Sequence, residues 1–136
     1  MKKILILLIC YKMLLGNSRY ELKLYESILP SIFSQTPLKI YASDDLREFL
    51  QYSSKFIIMP NCTDAVVILV GRNFKHISKE CKNKPLFATS YRWFKTYQNS
   101  FGAFYWRKGR PQIKFKQSVL HKYNLNLPKS MEKYAK

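Results

Sequence analysis

The run Ala65 to Val70, AVVILV, constrains the fold more than any other part of the sequence. A turn, Asn61-Cys62-Thr63-Asp64, precedes it and Gly71 closes it. Such a run has no polar face to offer water. It reads as a central strand buried on both faces, which is the environment of a parallel sheet covered by helices.

The segments around it agree. Arg19 to Phe33 places Leu22, Tyr25, Ile28, Leu29, Ile32 and Phe33 at helical spacing, with Pro30 as a disturbance and Pro37 as a stop. Leu38 to Ala42 alternates and is a first strand. Ser43-Asp44-Asp45 has the composition of a helix start, and Leu46, Phe49 and Leu50 then form one helical face. Phe56 to Met59 is a short apolar strand ended by Pro60. Arg72 to Lys84 is polar and lysine-rich, anchored by Phe74 and Ile77, and reads as a short helix or surface loop. Pro85 to Ala88 is another buried strand, and Thr89-Ser90 can cap a helix from Tyr91 to Tyr97. Phe101 to Trp106 and Gln112 to Phe115 flank Arg107-Lys108-Gly109-Arg110-Pro111 as a hairpin. Gln117 to Tyr123 is a short helix, and Pro128 opens a last helix, Lys129 to Lys136. Helices alternating with short apolar strands predict a three-layer α/β domain over 19–136, its sheet mostly parallel with a C-terminal antiparallel hairpin.

The first residues carry an address. Lys2 and Lys3 precede the apolar run Ile4 to Ile9, which Cys10 to Leu15 prolong with Lys12 as an interruption. Gly16-Asn17-Ser18 sets small residues at the −3 and −1 positions of a cleavage after Ser18. This order is that of a cleaved export signal, residues 1–18, and it is too short for a transmembrane helix of about 20 apolar residues. The expectation is a periplasmic protein with no membrane span in its mature form. Cys10 as a lipidated residue is the alternative, although Ile9 stands where a small residue belongs.

The full chain holds 24 lysines and arginines against 8 acids, for a net charge of +16. The signal removes Lys2, Lys3 and Lys12, which leaves a charge of about +13. The charge is spread along the chain. A basic surface attracts nucleic acid, anionic headgroups, wall polymers or acidic proteins, and export discounts nucleic acid as a partner.

Cys62 and Cys81 remain after the signal is lost. Each sits just before a predicted strand, and two parallel neighbours would bring both cysteines to one end of the sheet. That placement predicts a structural disulfide in an oxidising compartment. Two cysteines without a neighbouring histidine make a poor metal site. No nucleophile–base pair forms around His76 or His121, and four glycines supply no phosphate loop, so neither a catalytic residue nor a cofactor is assigned. Asp44-Asp45 reads as a helix start, with cation binding as its alternative.

Two segments are candidates for contact with a ligand or partner. Tyr105, Trp106, Arg107 and Arg110 set aromatic rings beside guanidinium groups that can stack or grip an anion. Ser90, Tyr91 and Arg92 follow a strand's C-terminal end and open a helix, and Ser43 holds the same place after the first strand. In an open α/β sheet ligands bind there.

The stretch Gly102 to Lys136 resembles the end of the YfiR-like family of small periplasmic proteins. That family ends on a Gly-led strand, a turn, a strand of the form I-x-F, a short helix, then G-L-x-L-S/P and a closing helix. The matching pieces are Gly102, Ile113-Lys114-Phe115, Leu120, Leu125-Asn126-Leu127-Pro128 and Met131 to Ala135. The resemblance implies a fold similar to one lobe of a periplasmic binding protein and a regulatory role without catalysis. It implies contact with the extracytoplasmic part of a membrane signalling protein, a diguanylate cyclase or sensor kinase. The alternatives are a reduced solute-binding protein for a small anionic ligand, and a basic binder of polyanions or cell wall.

Overall fold

The computed structural model describes residues 19–72 and 74–136. The export signal, its cleavage after Ser18, and Cys10 lie outside the described residues. Helix α1 covers 19–33 and runs through Pro30 unbroken. One ladder bond is lost there, but Tyr25, Ile28, Leu29 and Ile32 all bury against the sheet, and such packing supplies most of a helix's stability.

The elements that follow are β1 (Leu38–Ala42), α2 (Asp44–Leu50), β2 (Phe56–Ile58), β3 (Val67–Val70), β4 (Leu86–Ala88), α3 (Tyr91–Thr96), β5 (Ser100–Arg107), β6 (Arg110–Phe115) and α4 (Gln117–Lys122). The strands form one six-stranded sheet in the order β2-β1-β3-β4-β5-β6. Every neighbouring pair is parallel except β5–β6. The mixed α/β architecture with a C-terminal antiparallel hairpin is therefore as expected. No described helix is long and apolar enough to cross a membrane.

Residue parity sorts the core into two faces. Val67 and Leu69 of β3 join α1, α2 and α4 on one side, with Leu38, Ile40, Phe87, Phe101, Phe104 and Phe115. Ile68 and Val70 face the other side, with Leu86, Ala88, Ala103, Tyr105, Phe94 of α3 and the anchors Phe74 and Ile77. Both faces of β3 are buried throughout, as an unbroken apolar run requires.

The segment Arg72 to Lys84 takes the loop form of its two expectations: it contains only a 3-10 turn, Lys79–Cys81, and is otherwise irregular where described. Two details depart from the sequence reading. The hairpin link is two residues, because Arg107 pairs with Arg110 and Trp106 with Pro111. Lys108 and Gly109 take φ of 51° and 75°, the type I′ geometry that matches the strands' twist. Pro111 is tolerated because β6 is an edge strand. Finally, Lys129 to Lys136 is not an α-helix. A 3-10 run, Lys129–Tyr134, leads to Ala135, which bridges Phe115 in parallel. Gln117 N–H donates to the Lys136 carbonyl at 2.8 Å and Lys136 N–H to the Phe115 carbonyl at 3.1 Å. The chain end thus meets backbone groups of β6 and of the start of α4, a pairing a last helix would forgo.

Cys62 and Cys81 form a disulfide with Cα atoms 6.2 Å apart. It joins the 3-10 turns that precede β3 and β4, at the N-terminal ends of these parallel neighbours.

Candidate functional site

The strand order places β2 and β3 on opposite sides of β1. The connection from β1 packs against one face of the sheet and the connections after β3 against the other. A crevice opens where such paths diverge, outside the carboxyl ends of the strands. Here a cleft of about 1110 Å³ lies there. Its floor comes from the start of α2, the loops after β3 and β4 and the end of β5: Asp45, Arg72, Thr89, Ser90 and Phe104 to Arg107. Glu21 and Tyr25 of α1 form one wall, and Leu46, Glu48 and Phe49 of α2, with Gln51 and Tyr52 beyond it, form another.

Ser43 begins this geometry, though not as the helix cap its position implied. It makes no side-chain capping bond. Its Oγ donates to Asp45 Oδ1 at 2.7 Å and accepts from Gly71 N–H at 2.7 Å. Asp45 Oδ2 accepts from Arg72 N–H at 3.1 Å. Ser43 and Asp45 therefore tie the end of β1 to the end of β3 across the divergence. Gly71 permits the contact: a Cβ there would sit 2.2 Å from one Asp45 carboxylate oxygen. Asp44 points away to an exposed pairing with Arg47 at 3.7 Å.

Across the cleft, Thr89 Oγ1 donates to the Val70 carbonyl at 2.9 Å. Ser90 caps α3 as expected by accepting from Trp93 N–H at 3.2 Å. Tyr91 is 45 % exposed and leans on Tyr105, their ring centroids 5.7 Å apart. The ammonium groups of Lys95 and Lys114 lie over the Tyr91 ring at 5.3 and 5.2 Å. Trp106 stands against Phe104 and donates through Nε1 to Glu21 Oε1 at 2.6 Å, which joins the hairpin to α1.

Tyr25 is the anomaly of the site. The residue is 1 % exposed and its ring touches Phe49, Phe87 and Phe104. Its hydroxyl finds no hydrogen-bond partner among the described residues. A buried hydroxyl without a partner costs about 1–3 kcal/mol, so its retention calls for an explanation. Burial first, then the negative charges of Glu21 and Asp45, hold its pKa well above the ordinary tyrosine value. The phenol therefore stays protonated at neutral pH.

Of the residues singled out from sequence, Ser90, Tyr91, Tyr105, Trp106 and Arg107 come together in the cleft lining. Ser43 lies beneath it as a support. Arg92 is exposed outside the lining, its guanidinium 5.0 Å from the Trp93 ring centroid, and Arg110 is exposed at the hairpin turn. Glu21, Tyr25, Phe49, Tyr52 and Arg72 were not foreseen. Tyr25 and Phe49 sit on apolar helical faces like their neighbours Ile28 and Leu46, so periodicity assigns them to the core. The strand-end rule that singled out Ser43 would have reached Arg72, which lies just past the end of β3. Comparison of the chain with protein-family models, with curated proteins and with solved structures finds no match.

Proposed function

We propose that this chain is a ligand-sensing domain that works outside the cytoplasm and passes the occupancy of its cleft to a membrane signalling protein. One observation carries the ligand-binding part. A large aromatic-lined cleft lies over the β1/β3 divergence, and a buried tyrosine hydroxyl in its lining has no partner among the described residues. The lining supports binding and recognition: eight of its side chains are large apolar or aromatic groups that would cover a ligand's skeleton, and the polar ones would orient it. The export pattern of residues 1–18 and the Cys62–Cys81 bridge support an oxidising address. The regulatory output draws on the YfiR-like pattern of the C-terminal third.

The test is ligand screening of the mature domain by thermal shift, followed by ¹H–¹⁵N NMR mapping of the hits. Binding is expected to move amides of Asp45, Arg72, Ser90 and Trp106 and to raise the melting temperature. A screen whose hits all perturb surfaces remote from these residues would overturn the reading.

A further inference from the structure

The chain as a whole has three basic residues for every acid. The cleft reverses that balance. Glu21, Asp45 and Glu48 line it against only Arg72 and Arg107. Depth separates the signs in part: Glu21 and Asp45 are half-buried, while Glu48 and both arginines are exposed. The inner cleft is therefore negative, and the rim carries both signs.

The carboxylates are held in place. Glu21 is pinned by Trp106 Nε1, and Asp45 by Ser43 Oγ and Arg72 N–H. A carboxylate has about four lone-pair directions, so two accepted bonds leave Asp45 able to take more. Tyr25 lines the same cleft as both carboxylates. A neutral phenol can accept a bond from a cationic N–H donor. Phe49 and Phe104 pack against the Tyr25 ring, and Tyr52, Tyr105 and Trp106 also line the cleft; the faces of such rings attract cations.

Resting on the ligand-binding reading above, we infer that the cleft takes a small organic ammonium compound. Its charged nitrogen meets Tyr25, Glu21 and Asp45, and its carbon skeleton lies along the aromatic wall. The ligand's sign follows the cleft, not the chain. A free anion has the exposed Arg72 and Arg107 to meet at the rim but faces like charge below them.

Three probes share one phenyl ring and differ in charge: phenethylamine, phenylalanine and 3-phenylpropionate. Each is titrated into the mature protein by calorimetry and by ¹H–¹⁵N NMR. The amine or the amino acid is expected to bind at least tenfold more tightly than the acid, with shifts at Glu21, Tyr25 and Asp45. Tyr25→Phe should weaken the amine about tenfold, the loss of one hydrogen bond to a charged donor. Glu21→Gln keeps an acceptor for Trp106 and should weaken the amine several-fold while improving the acid. Asp45 is left intact because it supports the fold. Preferential binding of 3-phenylpropionate in the cleft would overturn the ammonium assignment and leave the ligand site standing. Binding of none of the three to the cleft would overturn the assignment, and the screen above then decides the site separately.

Discussion

At the scale of single residues, the cleft is maintained at a cost to stability. Tyr25 forgoes a hydrogen bond that a phenylalanine would not need. Tyr25→Phe should therefore raise the unfolding free energy at neutral pH by about 1 kcal/mol, read from urea denaturation, even as it weakens the ligand. The pH dependence has a definite sign. The folded-state pKa of Tyr25 is raised, chiefly by burial. Unfolding therefore releases its proton once the pH exceeds the unfolded value of about 10, and the folded state binds more protons there. Stability is fully present below about pH 10 and falls as the pH climbs from there toward the raised value. Tyr97 and Tyr123 are raised by burial too, so the alkaline limb is shared. Denaturation midpoints between pH 9 and 11 should decline less steeply in Tyr25→Phe, and an unchanged slope would show that Tyr25 ionises freely.

At the scale of elements, the strands were legible because parity and burial agree along them. Leu38–Ala42 alternates as read, and Val67–Val70 is buried on both sides as its composition demands. The aromatic strand was harder. Leu86 pairs with Ser100 but Phe87 pairs with Gly102, so one residue of β5 is extra. That bulge lets Phe101 and Phe104 face the same core despite their odd separation, while Ala103 and Tyr105 face the other. No period-2 pattern announces it. The hairpin turn was read too long because Arg107, Arg110 and Pro111 resemble loop residues. They pair because the chain's turn chemistry sits in Lys108-Gly109 alone. Gly109→Ala places a Cβ on a φ of 75° and should cost about 1–2 kcal/mol. Lys108→Asn, at φ of 51°, should restore a few tenths. Thermal melts of the two variants and their combination measure both. Equal melting temperatures for Gly109→Ala and the parent would show that the turn is free to relax to another type.

At the scale of the whole molecule, the sheet separates two tasks. The disulfide staples the N-terminal ends of β3 and β4, and the cleft opens at the C-terminal ends. The bridge spans a sequence separation of 19. The chain-entropy account assigns such a loop about 3 kcal/mol. Reduction, or a Cys62→Ala/Cys81→Ala pair, should lower the melting temperature by that equivalent and leave ligand affinity within about twofold, as expected of distant sites. A large loss of affinity in a variant that is still folded would show that the two ends are coupled. This pairing was readable in sequence because it needed only strand adjacency. The cleft was half readable. The rule that ligands bind beyond strand C-terminal ends located Ser90 and Tyr91, but α1 enters the site from before the first strand, and nothing local in Arg19 to Phe33 marks Glu21 and Tyr25 as more than helix start and core.

The contact between Asp45 and Gly71 bears on descent. A methyl group at 71 has no room while the carboxylate keeps its place at 45, so position 71 gains a side chain only if Asp45 moves or is replaced. Among related chains the two should change in concert: Asp with Gly, or a shorter side chain at 45 with a larger one at 71. A lineage that broke the pair would be expected to have abandoned the cleft and to show no constraint at Tyr25. Covariation at these three columns is thus a genomic record of whether the pocket has been kept in use.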